Sequence, residues 1–413
     1  MGQSEQPLKV GVAGLGFGST EFLPMLEKMP QFKLVAGADL RPQALDAWKS
    51  RYGGNVYESV EAMCADPDVE AVWVSTPNQF HGQHALAAVR QGKHICVRKP
   101  FALTVEDCQQ VLAAADKTGA KILAGGQTQG TSPIIQSTRR LLIDGELGRL
   151  TAIAMWAYTG WMLNPRLPQE VDDSQGGGIV WRQMPHQIEA VRWLGGGLLR
   201  SVRASAGHWR PERPNGTGYA TAYLEFEDGT PVTLTYDAYG YFDTADLIEW
   251  GDDPGIDGRV QRRKQLLAGQ MNEPAGKEAT RFGALIEGRE GPQIPWEGRG
   301  GGQGGPRANA PGNQGVWVVS CQRGSIRMSA DGIYVYDDNG KRNVAVQLAE
   351  GAGMAFLESE PLELYNAVRY NRPMLHDGRW GMATAEVQWA ILESAKRREE
   401  IILKHQVPVP TGF

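Results

Sequence analysis

The run Val10-Gly11-Val12-Ala13-Gly14-Leu15-Gly16-Phe17-Gly18-Ser19 is apolar and ends in closely spaced glycines. Glycines in this pattern, placed between a strand and a helix, bring bare backbone N–H groups against a phosphate, and the helix dipole completes the anion site. Gly14 and Gly16 allow the tight turn and the close approach, with Phe17 and Gly18 in the same turn. The third glycine position of the dinucleotide fingerprint is Ser19. The next strand ends at Asp39, at about the spacing where a carboxylate meets a ribose 2′-hydroxyl and repels a 2′-phosphate. This favours NAD over NADP. Two other readings stand beside it: Asp39 caps the following helix, or Arg41, two residues after Asp39 with Leu40 between, stacks on adenine or accepts a 2′-phosphate.

These residues need a parallel sheet with crossover helices to hold them, and the N-terminal third supplies that pattern. Apolar runs at 9–13, 33–38, 69–75, 94–97 and 121–125 alternate with helical periods at 22–29, 42–52, 83–91 and 105–118. Gly53, Gly92 and Gly119 are expected helix stops. After Gln127 the rhythm changes to a helix at 132–144, a strand at 150–158 and a helix within 178–194. Alternating segments then follow at 201–209, 218–226, 231–239, 316–321, 325–329 and 333–336, and helices at 354–370 and 380–398 close the chain. The expected fold is a Rossmann doubly wound parallel sheet in residues 1–128. A second domain, 129–413, is expected to be α+β, built on an open, mainly antiparallel sheet flanked by helices. Residues 291–315 contain nine glycines and four prolines and read as a mobile loop or, alternatively, a loop that closes over substrate.

Composition bounds the function. The chain has 413 residues, with 42 basic and 47 acidic side chains, a formal net charge of −5. It lacks the basic field that drives non-specific nucleic-acid binding. No stretch of 18 apolar residues occurs, so a membrane span is not expected. Four cysteines without a CxxC pair, and no secretory signal, point to the cytoplasm, and no metal site is read from the pattern.

Two further segments carry more information than the glycines: Ser75-Thr76-Pro77-Asn78-Gln79-Phe80-His81, and Gly92-Lys93-His94-Ile95-Cys96-Val97-Arg98-Lys99-Pro100. A third is Gly176-Gly177-Gly178-Ile179-Val180-Trp181-Arg182-Gln183-Met184-Pro185-His186. With the glycine-rich start they resemble the glucose–fructose oxidoreductase, inositol dehydrogenase and MocA (GFO/IDH/MocA) family, in order and spacing over nearly the whole chain. The resemblance implies that Ser75, Thr76, Pro77, Asn78, His81, Arg98, Lys99, Pro100 and Gln127 lie along the cofactor. It implies that Lys99 reaches the nicotinamide and the reacting oxygen, and that His186 exchanges the proton during hydride transfer. An ammonium near a positively charged nicotinamide is destabilised and suited to polarise or deprotonate a carbinol; histidine is a natural proton shuttle. Taken by themselves, His81 and His84 read as structural.

The sequence departs from the family pattern at two acidic positions, which become Arg98 and Arg182. If one helix runs through 178–194, Arg182 and His186 share a face, while Val180, Met184, Ile188 and Val191 form a separate apolar stripe; Pro185 bends or starts the helix here. Guanidinium groups grip carboxylates bidentately, so the simplest consequence is an anionic small-molecule substrate, with Gln183 and Trp161 beside the clamp. The alternative is that the arginines pair with acids such as Glu189 or with cofactor phosphates. The same look is shared by dehydrogenases of carboxylated aromatic cis-dihydrodiols, of the phthalate 4,5-cis-dihydrodiol kind. That likeness rests on residues 181–187, 225–230, 318–324, 331–336 and 375–381. The expected activity is NAD-dependent oxidation of a ring carbinol in an anionic cis-diol. A sugar, glycoside or polyol dehydrogenase is the alternative, and a non-redox decarboxylase or glycosidase a further one. The open sheet implies a homodimer or homotetramer.

Overall fold

In the computed structural model the described residues are 6–20, 22–126, 130, 132–251, 255–281, 311–312, 314–346 and 352–410. Gln127 and all of 291–315 except Pro311, Gly312, Gln314 and Gly315 lie outside them. The chain divides into two compact units. The first is the described part of Met1–Gln127, Pro274–Gln293 and Met354–Ala385; the second is that of Thr128–Glu273, Ile294–Gly353 and Glu386–Phe413. Each unit thus draws on three stretches of sequence, and the helix Ala352–Tyr370 folds almost entirely with the N-terminal residues.

The first unit holds a six-stranded parallel sheet, ordered β3-β2-β1-β4-β5-β6. Its strands are β1 (Leu8–Ala13), β2 (Phe32–Ala38), β3 (Asn55–Tyr57), β4 (Ala71–Val74), β5 (His94–Arg98) and β6 (Ile122–Gly125). β3, three residues long, has too short a pattern to be read from sequence. Strand interiors are continuous apolar runs because helices cover both faces. One face packs Val72, Val74, Ile95 and Val97 against Ala85, Val89 and Val111. The other packs Trp73 against Phe22 at 5.4 Å and Phe32 at 6.3 Å, with Leu364 and Tyr365 of the helix Ala352–Tyr370 in the same cluster. Each buried indole removes roughly 200 Å² from water, about 5 kcal/mol of transfer free energy before entropy. Helices stop where expected: Gly53 and Gly119 have φ of 69° and 73°.

The second unit is a nine-stranded sheet, ordered β14-β13-β12-β11-β7-β10-β9-β8-β15. It comprises β7 (Leu150–Tyr158), β8 (Leu199–Gly207), β9 (Tyr219–Phe226), β10 (Pro231–Asp237), β11 (Val316–Cys321), β12 (Gly324–Ser329), β13 (Gly332–Asp337), β14 (Gly340–Ala345) and β15 (Ile401–Ile402). All pairs are antiparallel except β7 with β10. β9 alternates buried and open positions along its length, the signature of a sheet covered on one side.

The single helix expected within 178–194 is two helices, Gly178–Arg182 and Pro185–Gly195. Pro185 has no N–H to continue the first, so it opens the second. Arg182 and His186 therefore do not share one continuous helical face. The apolar stripe survives the break: Val180, Met184, Ile188 and Val191 are fully buried.

Candidate active site

The glycine-rich turn is shaped by its neighbours. Gly14 has φ +86°, and a Cβ there would stand 2.8 Å from the Ser75 carbonyl oxygen and the Thr76 nitrogen. The backbones after β1 and β4 touch, and only glycine permits it. At Gly16 a Cβ would meet nothing within 4 Å, so among the described residues no neighbour requires this glycine, and it opens onto space beside the turn. A Cβ at Gly18 would make only ordinary contact with Ser75. Ser19 is fully buried and its Oγ donates to the Gly16 carbonyl at 2.7 Å, so it closes the turn from inside. Phe17 carries the Lys277 ammonium 5.3 Å from its ring centre.

Asp39 is engaged on both oxygens. Oδ2 accepts the Leu15 N–H at 2.8 Å and Arg41 Nη2 at 2.9 Å; Oδ1 accepts the Arg41 N–H at 3.0 Å and Nε at 2.8 Å. Burial pushes the carboxyl up, but the Arg41 guanidinium and the two backbone donors outweigh it and hold the group below the usual carboxylate range. Asp39 does not cap the helix Pro42–Tyr52, whose N-cap is Arg41 with no side-chain cap bond. Leu40, between them, is 86% exposed, an apolar platform beside the acid.

At the ends of β4 and β5, His81 ties two loops together. It is buried, with Nδ1 2.7 Å from the Pro100 carbonyl and Nε2 2.8 Å from the Thr76 carbonyl. Thr76 Oγ1 bonds His84 Nδ1 at 2.9 Å. Asn78 is buried, Pro77 is exposed, and the Lys99–Pro100 bond is cis. Lys99 is half-buried. Arg98 points past the Phe22 ring, 6.0 Å from its centre. Among the described residues the Ser75 Oγ is buried without a hydrogen-bond partner.

In the second unit, Gly176-Gly177-Gly178 let the chain wrap tightly. A Cβ at Gly177 would lie 2.6 Å from the Gln169 carbonyl and 2.7 Å from the Glu170 carbonyl carbon. The turn Pro168–Val171 can therefore lie against the helix start, and it delivers Glu170 to Arg182: Nη2 donates to Oε1 at 3.0 Å. Glu170 Oε2 accepts the Leu167 N–H. The acid beside Arg182 is thus Glu170; Glu189 accepts instead from the Gly130 N–H at 3.3 Å. No motif marks Glu170 in the sequence. Throughout 176–194, Arg182 and His186 are the two residues that are not buried. Gln183 is buried and its Oε1 accepts from the Tyr236 hydroxyl at 3.4 Å. Trp161 is 5% exposed, and Arg166 stacks on its ring at 3.9 Å. Gln183 and Trp161 are thus both buried, whereas Arg182 and His186 are partly open. No group of three or more potential metal ligands occurs among the described residues, and no described helix is long and apolar enough to cross a membrane.

A doubly wound parallel sheet with an open glycine turn, joined to a unit that presents a histidine and an arginine, defines a two-unit dinucleotide-dependent oxidoreductase. Residues 8–125 match the oxidoreductase family with an NAD-binding Rossmann fold, and residues 135–248 match the GFO/IDH/MocA C-terminal domain. The chain belongs to the GFO/IDH/MocA family and is an NAD-binding oxidoreductase. It is 30% identical over 395 residues, 94% of this chain and 95% of the other, to the 1-carboxy-3-chloro-3,4-dihydroxycyclohexa-1,5-diene dehydrogenase of Comamonas testosteroni. It is 28% identical over 232 residues, 52% of this chain and 58% of the other, to the levoglucosan dehydrogenase of Pseudarthrobacter phenanthrenivorans. A levoglucosan dehydrogenase structure in complex with NADH and levoglucosan shares the fold, with a TM-score of 0.67 and 18% identity over 96% of this chain and 99% of that one.

The residues present fit NAD. The space beside Gly16, where a Cβ would intrude on a pyrophosphate, the unpartnered Ser75 Oγ and the acid at Asp39 are features such a ligand uses.

Proposed function

We propose that this protein oxidises a ring carbinol of a carboxylated cyclic cis-diol. Bound NAD supplies the hydride acceptor. Gly14, Gly16, Phe17, Gly18 and Ser19 form the pyrophosphate turn, Asp39, Leu40 and Arg41 the adenosine end, and the Ser75–His81 and Arg98–Pro100 segments the nicotinamide end. Lys99 polarises the carbinol oxygen and His186 takes its proton, with the two sharing these roles. Loss of hydride from carbon and of the hydroxyl proton leaves a hydroxy-ketone; in a cis-dihydrodiol, whose ring is a cyclohexadiene, this is a hydroxy-dienone, which tautomerises to a catechol. Aromatisation makes the oxidation nearly irreversible.

The observation that supports an anionic substrate is the joint emergence of Arg182 and His186 from an otherwise buried stretch, with the arginine oriented by Glu170. A guanidinium is planar and can meet a carboxylate through two parallel N–H groups, which is the recognition an anionic substrate needs. The carboxylated diol in the name of the Comamonas testosteroni relative supports the same class.

The test is NADH formation with a panel of carboxylated cis-dihydrodiols set against neutral polyols and anhydrosugars. The expected result is turnover of the acids with the neutral compounds at least tenfold poorer in kcat/KM. Efficient turnover of neutral sugars with inert acids would place the protein with the levoglucosan-type enzymes instead. Bond cleavage without net NADH would mark the non-redox reading. Light scattering should give a dimer or tetramer, since the open face of the second sheet exposes Trp156 and Tyr223.

A further inference from the structure

Arg98, half-buried, stands where the family pattern has an acid, and a guanidinium partly withdrawn from water is stabilised by a nearby carboxylate. The helix Ala352–Tyr370 provides one in the same unit. Glu360 is 5% exposed, and its Oε1 accepts the Gly126 N–H in a short hydrogen bond. The fit around it is close. A Cβ at Gly125 would lie 2.5 Å from Glu360 Oε1 and 2.6 Å from Cys96 Sγ. A Cβ at Gly126 would lie 3.3 Å from both Arg98 Cζ and Lys99 Cγ. Gly126 is therefore bonded to Glu360 on one side and packed on Arg98 and Lys99 on the other.

The end of the helix is itself pinned. Glu363 accepts the Leu375 and His376 N–H groups at 2.9 and 3.0 Å and pairs with His376 Nδ1 at 2.8 Å. The His376 carbonyl accepts the Ala124 N–H of β6 at 2.8 Å, and Asp377 bridges Leu123. The segment 375–381, distinctive in the sequence but without a role there, is the clasp that docks this helix on the edge of the parallel sheet.

We infer that Glu360 is a positioning residue for Lys99, holding Arg98 as its counter-charge and Gly126 by its N–H, and so fixing the two segments between which the Lys99 side chain projects. The charged and titratable groups facing Glu360 are Arg98 and Cys96 from β5, Glu363 from its own helix and His376 from the turn beyond. Burial raises its carboxyl pKa, while Arg98 and the Gly126 N–H draw it back. Arg98 is thereby tied to the protein, and the task of meeting an anionic substrate is left to Arg182. The inference gives Lys99 its importance from the proposed reaction, but its test uses neither substrate nor cofactor.

The test is trace acylation of lysines with acetic anhydride at pH 8, read by peptide mass spectrometry, with exposed Lys33 as internal reference. Glu360→Gln removes a negative charge that faces Arg98 next to Lys99, disfavours the Lys99 ammonium and should raise Lys99 acylation roughly three- to tenfold relative to Lys33. In an Arg98→Gln background the same change should alter it less than twofold, because the coupling runs through Arg98. An equal change in both backgrounds, or none in either, overturns the inference. Should Glu360→Gln not fold, Glu360→Asp, which keeps the charge but shortens its reach, carries the comparison: Lys99 acylation raised at least twofold in the parent and by less in the Arg98→Gln background supports the inference, and an equal change in both or none in either overturns it. A negative substrate panel would leave this result untouched, so the two ideas fail separately.

Discussion

Arg182 donates from Nη2 to Glu170 Oε1 at 3.0 Å, across twelve residues of sequence, with the carboxylate side chain 6% exposed and the guanidinium side chain 25% exposed. The pair orients the arginine that the proposed reaction uses for substrate. Arg182→Gln should raise KM for a carboxylated diol roughly ten- to a hundredfold, from the 1.5–3 kcal/mol of a charged hydrogen bond, while the KM for NAD stays within twofold. It should also cost about 3 kcal/mol of stability, because Glu170 loses its cation, and Glu170→Gln in the same chain should recover part of that. An unchanged substrate KM would mean that the guanidinium serves protein groups and not substrate.

Gly14 and Gly16 separate folding from cofactor binding. At Gly14 a Cβ meets backbone at 2.8 Å and φ is +86°, so Gly14→Ala should lower the melting temperature by several degrees and abolish NAD binding. At Gly16 a Cβ meets no atom of the described residues within 4 Å, so Gly16→Ala should melt within about 2 °C of the parent and yet bind NAD at least tenfold more weakly. Calorimetric melts and NAD titrations decide it; normal NAD affinity in Gly16→Ala would place the pyrophosphate elsewhere.

Asp39 and Arg41 bear on the choice of cofactor. Because Arg41 is gripped by Asp39 through Nε and Nη2, its guanidinium is turned to the acid. Asp39→Ser should release it and remove the charge that repels a 2′-phosphate, shifting the ratio of NADH to NADPH dissociation constants by about an order of magnitude towards NADPH. A ratio that does not move would show that neither side chain reads the 2′ position.

His94 supplies a pH dependence. Burial depresses its pKa from 6.5 to about 4, and the neutral ring accepts the Lys121 N–H on Nδ1 at 3.0 Å. The folded value lies below the unfolded one, so this stabilisation is full above about pH 6.5 and is lost as pH falls towards 4. It is worth up to roughly 3 kcal/mol. Melting curves between pH 7.5 and 4.5 should show a shallower acid-side decline in His94→Gln than in the parent. Parallel declines would sink the assignment.

The sequence by itself determined the features that depend on near neighbours. Strand and helix periods in the first 125 residues, the turn at Gly14 and Gly16, the stops at Gly53 and Gly119, and the buried stripe through Val180, Met184, Ile188 and Val191 all follow from patterns within a few residues. Short elements escaped it: β3, β15 and the charged edge strand β14 carry too few apolar positions to register. Tertiary structure decided the partners of the charges. Glu170 reaches Arg182 because Gly177 lets a turn fold back, and Glu360 reaches the Arg98 neighbourhood because the helix Ala352–Tyr370 docks on the N-terminal sheet. Burying a charge selects a counter-charge by proximity in space, and no local pattern records which distant acid the fold will bring there.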